Sequence, residues 1–341
     1  MAQHFLLSSK SRSLDLLSIM GMDEEVARAR FTAIRWETSD GEPVCPSCGG
    51  LDHWTLGNGH KWKCIGCRTQ FSATKGTVFE SHKLSFRNLL AIVALFANGV
   101  LGVAACRLSR EVNISYKSAF VILHRIREAM GRDEPEAMLG GVVEIDGAIF
   151  GGSLPQLPNA KELWEKFKIM NKAAARKKRK LIVVLRERQG PDPDVPAKVR
   201  TFLLSKEGDA IEIARRLVRR DTEIHADFSN QWEPLHLHFK TKRINHSKHF
   251  SHDGACTNQA ESFFRRMRCA ERGVYLQISG THITRYAWEL GWREQYRRKP
   301  NGEHFEMILG LVARNRPSVT FRGYWRKRSS NDNDIFGTMV G

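Results

Sequence analysis

"VVEIDGAIFGG" spans Val142–Gly152, and its alternation decides the fold. At a period of two residues, Val143 and Ile145 share one face of a strand, and Glu144 and Asp146 share the other. A buried carboxylate without compensation is costly, so two on one face call for a cation, a partner or a metal. Whether they do chemistry depends on what the rest of the chain supplies.

Other strands follow. "KLIVVLRE" (180–187), "AKVRTFLLS" (197–205) and "TEIHADF" (222–228) read as strands, with a helix near 208–220 between the last two. That order predicts an α/β (α+β) domain with a mixed sheet. "TEIHADFSNQW" leaves Asp227 at the carboxyl end of its strand. "CTNQAESFFRRMR" (256–268) predicts a helix with Phe263, Phe264 and Met267 as its buried stripe. Asn258, Glu261, Arg265 and Arg268 then share the opposite face. Mg²⁺ and Mn²⁺ favour carboxylate oxygens, and two such ions can serve phosphodiester chemistry. On spacing alone the same acids read equally well as partners for the surplus arginines. Glu144 is open between a local structural bond and a metal-assisting role.

Upstream, Cys45, Cys48, Cys64 and Cys67 form CxxC-x15-CxxC. Two such knuckles close a tetrahedral, structural Zn²⁺ site. His53 and His60 are rival ligands, and four thiolates suffice without them. Gly49, Gly50 and Gly66 are the expected sources of backbone freedom, and Trp54, Trp62 and Phe71 the expected inside of a ribbon. The run "LLAIVALFANGVLGVAAC" (89–106) approaches membrane-spanning length, but Asn98-Gly99 divides it into two buried helices. A third helix starts at an N-cap, Ser115, with Ala119, Ile122, Leu123, Ile126, Ala129 and Met130 as its core face. The joint before it resembles that of a helix-turn-helix. Tyr116, Lys117, Ser118, His124 and Arg125 lie off the core face, available to DNA. Residues 12–37 read as amphipathic helix through Leu14, Leu17, Met20, Val26, Phe31 and Ile34, and the tail after about 320 reads as loose.

The expected organisation is a helical segment (1–40), a zinc ribbon (41–80), a helix-turn-helix-like block (81–135), a catalytic domain (136–300) and a C-terminal helix with a flexible tail (301–341). The 341 residues carry 54 Lys plus Arg against 37 Asp plus Glu, a net charge of +17. That balance suits a polyanionic partner, and 41% apolar residues exclude wholesale disorder. "KAAARKKRK" (172–180), with Lys177, Lys178 and Arg179, offers a cationic track for DNA backbone, and His246 either a phosphate contact or a loop cap. Paired cysteines and the lack of a secretory leader point to a reducing, cytoplasmic setting.

Taken together, "VVEIDGAIFGG", "HADFSNQW", "NHSKHFSHDGACTNQAESFFRRMR" and "HITRYAWELGWREQYR" resemble the DDE-type transposases of the IS1595 (ISXO2-like) group of insertion sequences, over residues 20 to 300 or so. The resemblance implies an RNase H-like catalytic domain behind a zinc ribbon. It assigns Asp146 and Asp227 as the first two acids and Glu261 as the third, with Asn258 the alternative. Arg268 stands seven residues beyond Glu261, where related enzymes carry a basic residue, and Arg265 stands seven beyond Asn258. Gly147 departs from the acid common after the first Asp, and Phe228 from the small residue common after the second. The implied activity is two-metal cleavage and strand transfer on double-stranded DNA, at terminal inverted repeats and a target, by a homodimer or larger assembly. The alternatives are a non-catalytic zinc-ribbon DNA-binding regulator and an RNase H-like nuclease without strand transfer.

Overall fold

A computed structural model describes residues 5–133, 138–151, 179–190, 192, 194–244 and 256–326. The chain divides into two units, residues 1–134 with 298–341, and residues 135–297.

In the first unit, α1 (Leu16–Met20) and α2 (Glu24–Arg35) are separate helices. The break at Gly21 resets the helical phase, so the expected single stripe is corrected. Leu17 is 80% exposed and Val26 also faces solvent, while Ile19, Ala27 and Phe31 are buried. The ribbon strands β1 (His53–Leu56), β2 (Lys61–Cys64) and β3 (Gln70–Ser72) pair antiparallel in that order. Then come α3 (Phe86–Asn98), α4 (Ala105–Glu111) and α5 (Tyr116–Gly131). Every residue of α3 from Leu89 to Ala97 is buried, and the helix stops before Gly99. Among the described residues no helix is long and apolar enough to cross a membrane. Between α4 and α5, Asn113 takes the left-handed conformation (φ 52°), which turns the chain sharply. Ser115 caps α5 by accepting from the Ser118 amide, and the six anticipated core residues of α5 are buried.

The second unit is built on a five-stranded sheet, β4 (Val142–Phe150), β5 (Lys180–Glu187), β6 (Val199–Leu204), β7 (Glu223–Asp227) and β8 (Lys240–Ile244), in the spatial order β6-β5-β4-β7-β8. β4, β5 and β6 are antiparallel neighbours, whereas β4–β7 and β7–β8 are parallel. The parallel step needs a crossover, which α6 (Ala210–Leu217) supplies. Ala210 and Ala214 of α6 pack with Val143, Ile145, Val183, Leu185, Ile224 and Ala226 in one apolar layer. The other face carries α7 (Asn258–Ala270) against β4 and β5, and α8 (Ile283–Gln295) against β5 and β6. This is the RNase H-like mixed sheet with helices on both faces. The sequence reading missed β8: "KTKRI" alternates too weakly, and as an edge strand only its last residue is buried.

Beyond the sheet the chain returns to the first unit as α9 (Asn301–Arg314), packed on α2, α3 and α5. The expectation of a loose tail after 320 is corrected for its first residues. Phe321 stacks on His124 at 5.1 Å, Tyr324 stacks on Phe120 at 5.8 Å, and the Lys117 Nζ lies 5.5 Å from the centroid of Trp325. Three aromatic side chains give this stretch enough apolar area to dock on α5.

Candidate active site and zinc centre

Glu144 and Asp146 point to the same side of β4 and meet different fates. Glu144 is completely buried. Its Oε2 accepts from the backbone amides of Gln259 (2.8 Å) and Ala260 (3.0 Å), and its Oε1 from Arg188 Nε at 2.9 Å. Thr257 makes no side-chain cap to α7, so a strand carboxylate caps the helix instead, at the positive end of its dipole. The arginine is shared further: its guanidinium donates to His225 Nδ1 and to the Cys256 carbonyl, both at 2.9 Å. His225 faces Glu223 through Nε2 at 2.8 Å. Hydrogen bonds from His225, Lys242 and Lys240 pull the Glu223 carboxyl down to about 2. Glu144 therefore holds the local structural bond, and its function is to fix α7 on β4. Glu144→Ala strands Arg188 and uncaps α7, with an expected loss of about 3 kcal/mol in chemical denaturation. Glu144→Gln, which keeps one acceptor, should lose less.

Asp146 stays partly open to the cleft. Continuing the β4–β7 pairing from Glu144 opposite His225 sets Asp227 beside Asp146 on the adjacent parallel strand. The Asp227 Oδ1 accepts from the Ser229 amide at 2.9 Å, which turns the chain away at the strand end. Asp146 and Ala148 of β4 and Asn258, Glu261, Ser262, Arg265 and Arg268 of α7 line one cavity of about 460 Å³. The anticipated helix face thus forms one wall of the cleft, opposite Asp146. Phe263, Phe264 and Met267 are buried as expected, and Arg268 lies over the Phe150 ring at 5.7 Å. Phe228, next to Asp227, is 60% exposed, with the Arg243 guanidinium 4.7 Å from its ring.

The acids interact. Burial pushes the Asp146 carboxyl up to about 7, the charges of Asp227, Glu261 and Glu207 add to this, and the Gly147 amide opposes it. Between about pH 4 and 7 the folded protein keeps a proton that the unfolded chain has lost, so stability falls as pH rises through that window. The cation-free protein should lose up to about 4 kcal/mol across it, and Asp146→Asn should flatten the profile, as read by thermal denaturation. A divalent cation bound there would displace this proton, and its affinity would then rise with pH towards 7. Carboxylate oxygens are the donors that Mg²⁺ and Mn²⁺ favour, but among the described residues the four cysteines of the ribbon are the group close enough together to hold a metal.

In the ribbon, one sulfur atom from each of Cys45, Cys48, Cys64 and Cys67 lies within 4.8 Å of every other. The Cys45–Cys67 and Cys48–Cys64 pairs are 3.5 Å apart. Tetrahedral Zn–S bonds of about 2.3 Å require sulfurs about 3.8 Å apart, so the four fit Zn²⁺. Neither His53 nor His60 belongs to the cluster. Left-handed backbone follows each knuckle, at Gly49 (φ 74°) and at Arg68 (φ 60°), not at Gly66. Trp62 and Phe71 are buried, but Trp54 is 43% exposed, with the Arg68 guanidinium 4.9 Å from its ring, which corrects its inward assignment.

Of the anticipated DNA-binding residues, Tyr116, Lys117 and Ser118 are exposed on α5. Arg125 is not: its guanidinium turns inward and donates to the Val78 and Glu80 carbonyls at 3.3 and 3.1 Å. His124 is wholly buried between Phe120 and Phe321. Both assignments are corrected, because the 78–80 turn and the docked C-terminal aromatics cover that side of α5. Arg179 is exposed just before β5, and Lys177, Lys178 and His246 lie outside the described residues.

A thiolate ribbon precedes an RNase H-like sheet with acids on two neighbouring strands and a facing helix, the arrangement that the resemblance to DDE-type transposases implies. Residues 138–295 match the ISXO2-like transposase domain, and residues 22–70 match the transposase zinc-ribbon domain. The chain belongs to the IS1595 family of transposases. None of the curated proteins compared with the chain matches it.

Proposed function

We propose that this transposase binds the terminal inverted repeats of an insertion sequence, cleaves at their ends and joins the freed 3′-hydroxyls to target DNA, all in the cleft between β4 and α7. The observation that carries the reading is geometric: Asp146 and Glu261 line one cavity, and the β4–β7 register sets Asp227 beside Asp146. Asp146, Asp227 and Glu261 are the ligands for Mg²⁺ or Mn²⁺. Two such ions held there would activate the attacking oxygen and stabilise the leaving one.

The protein's own groups do the rest. Glu144 keeps Glu261 opposite Asp146 by capping α7. Arg265 and Arg268, on the cleft wall, bind the phosphate that the carboxylates would otherwise repel. Asn258 lies one turn before Glu261 on the same wall, and as a neutral amide it is the weaker ligand. The zinc ribbon and the exposed start of α5, with Tyr116 and Lys117, contact the repeats, and two ends are handled by a homodimer or larger assembly. The test is incubation with Mg²⁺ and DNA carrying the repeats that flank the gene. Products joined to a target plasmid are expected. Glu261→Gln should abolish them, and Asn258→Ala should retain them; the reverse pattern would transfer the third position to Asn258.

A further inference from the structure

The ribbon sheet has one covered face and one open face. On the covered face Trp62 meets Trp36, at the end of α2, edge-on at 5.4 Å, and Phe71 at 5.7 Å. The strand register sets other side chains in two rows across the sheet, Trp54–Lys63–Gln70 and Leu56–Lys61–Ser72. Side chains alternate along a strand, so both rows lie on the face away from Trp62 and Phe71. Trp54, Lys61 and Gln70 are exposed there, and Lys63 is half-buried. The Arg68 guanidinium, from the second knuckle, lies 4.9 Å from the Trp54 ring and so joins the first row. Between Asp52 and Glu80 the chain has four cations, Lys61, Lys63, Arg68 and Lys75, and no acid. Among the described ion pairs, none involves Lys61, Lys63 or Arg68; the pair of His60 with Glu25 falls at the β1–β2 turn.

The two knuckles differ at one equivalent position. The left-handed residue is Gly49 after Cys48 and Arg68 after Cys67, and each donates its amide to the carbonyl of its knuckle's first cysteine, at 2.9 and 3.1 Å. A side chain is disfavoured in that backbone, so the arginine is kept there against a local cost. We infer that the open face of the ribbon sheet binds the phosphate backbone of double-stranded DNA, with Lys61, Lys63 and Arg68 as its cations and Trp54 as the plate that holds Arg68. Three cations on one face without a carboxylate partner match a polyanion. Two residues along a strand span about 6.6 Å, close to the step between phosphates of one DNA strand, so Lys61 and Lys63 suit neighbouring phosphates. This rests on the reading that the ribbon contacts the terminal repeats, and it adds a division of labour. The ribbon supplies affinity and register, and sequence is read by other elements.

The experiment is a fluorescence-anisotropy titration of the full-length, zinc-loaded protein at several salt concentrations, with zinc content and circular dichroism as checks of folding. Two labelled duplexes are used, one carrying the repeats that flank the gene and one of unrelated sequence. Lys61→Gln combined with Lys63→Gln should weaken binding of both duplexes by about 10-fold or more, and lower the slope of log affinity against log salt by about 2. Arg68→Gly should weaken both and lower the slope by about 1. It should not destabilise the ribbon, because glycine accepts the left-handed backbone, so a loss of affinity there reports a lost contact. Affinity and salt slope unchanged in both variants would overturn the role of this face. A loss confined to the repeat duplex would also overturn it, by making the face a reader of bases. Wild-type protein that binds the two duplexes equally, with both variants weakened, would support the face and overturn repeat binding in the proposed function. Wild-type protein that binds neither duplex would overturn both.

Discussion

Asp146→Asn is expected to end cleavage while leaving binding of the terminal repeats within twofold of wild type. Loss of an outer partner of a metal ligand already costs roughly 10–100-fold, so loss of the central ligand should exceed that and reach background. Asn keeps the side-chain volume and can still accept from the Gly147 amide, the one hydrogen bond described for this carboxylate at 2.8 Å, so the fold has no reason to change. It also removes the charge that Asp227, Glu261 and Glu207 oppose, and the cation-free variant should be more stable than wild type at pH 8. Gel-shift and nicking assays on one preparation separate the two effects. Loss of binding and cleavage together, with a lowered melting temperature, would mean that Asp146 is structural.

The second large effect is on the ribbon. Its three strands have only three to four residues each, and apart from Cys64 the side chains buried within them are Trp62 and Phe71. So small an apolar core cannot hold the ribbon without metal, whereas structural zinc supplies about 10–16 kcal/mol in comparable modules. Chelation of zinc, or Cys64→Ser, should therefore unfold residues 45–72 and abolish specific end binding. The unit of residues 135–297 has its own core, so its secondary structure should survive. Hydrogen exchange reads this directly, with fast exchange confined to the ribbon and its neighbours. Full protection of the ribbon in zinc-free protein would contradict the assignment.

Much of this was legible in the sequence wherever one local rule governed. The alternation in β4 located Asp146 on the correct face, because a one-residue shift would have buried it in the apolar layer of Val143 and Ile145. Cysteine spacing located the metal centre, since four thiolates two by two have few other uses. The helical phase of 258–268 placed Glu261, Arg265 and Arg268 on one wall. What escaped was tertiary. The capping of α7 by Glu144 joins residues 115 and 116 positions apart, and no sequence window contains both. Glu207 packs across the empty side of Gly147, and absent atoms leave no pattern. Arg125 faced inward because the 78–80 turn happened to need a donor there, and the amphipathic phase of α5 could not reveal it. The docking of Phe321, Tyr324 and Trp325 was hidden by the polar residues around them.

Asp146, Asp227 and Glu261 are proposed to hold a divalent cation at the scissile phosphate. The most direct measurement is anomalous diffraction from a Mn²⁺-loaded complex of the protein with its terminal repeat. The expected result is Mn²⁺ density at coordination distance from Asp146, Asp227 and Glu261, with the DNA phosphate between that density and Arg268. Metal density at the four cysteines alone, with the three acids paired instead to Arg265 and Arg268, would contradict the account.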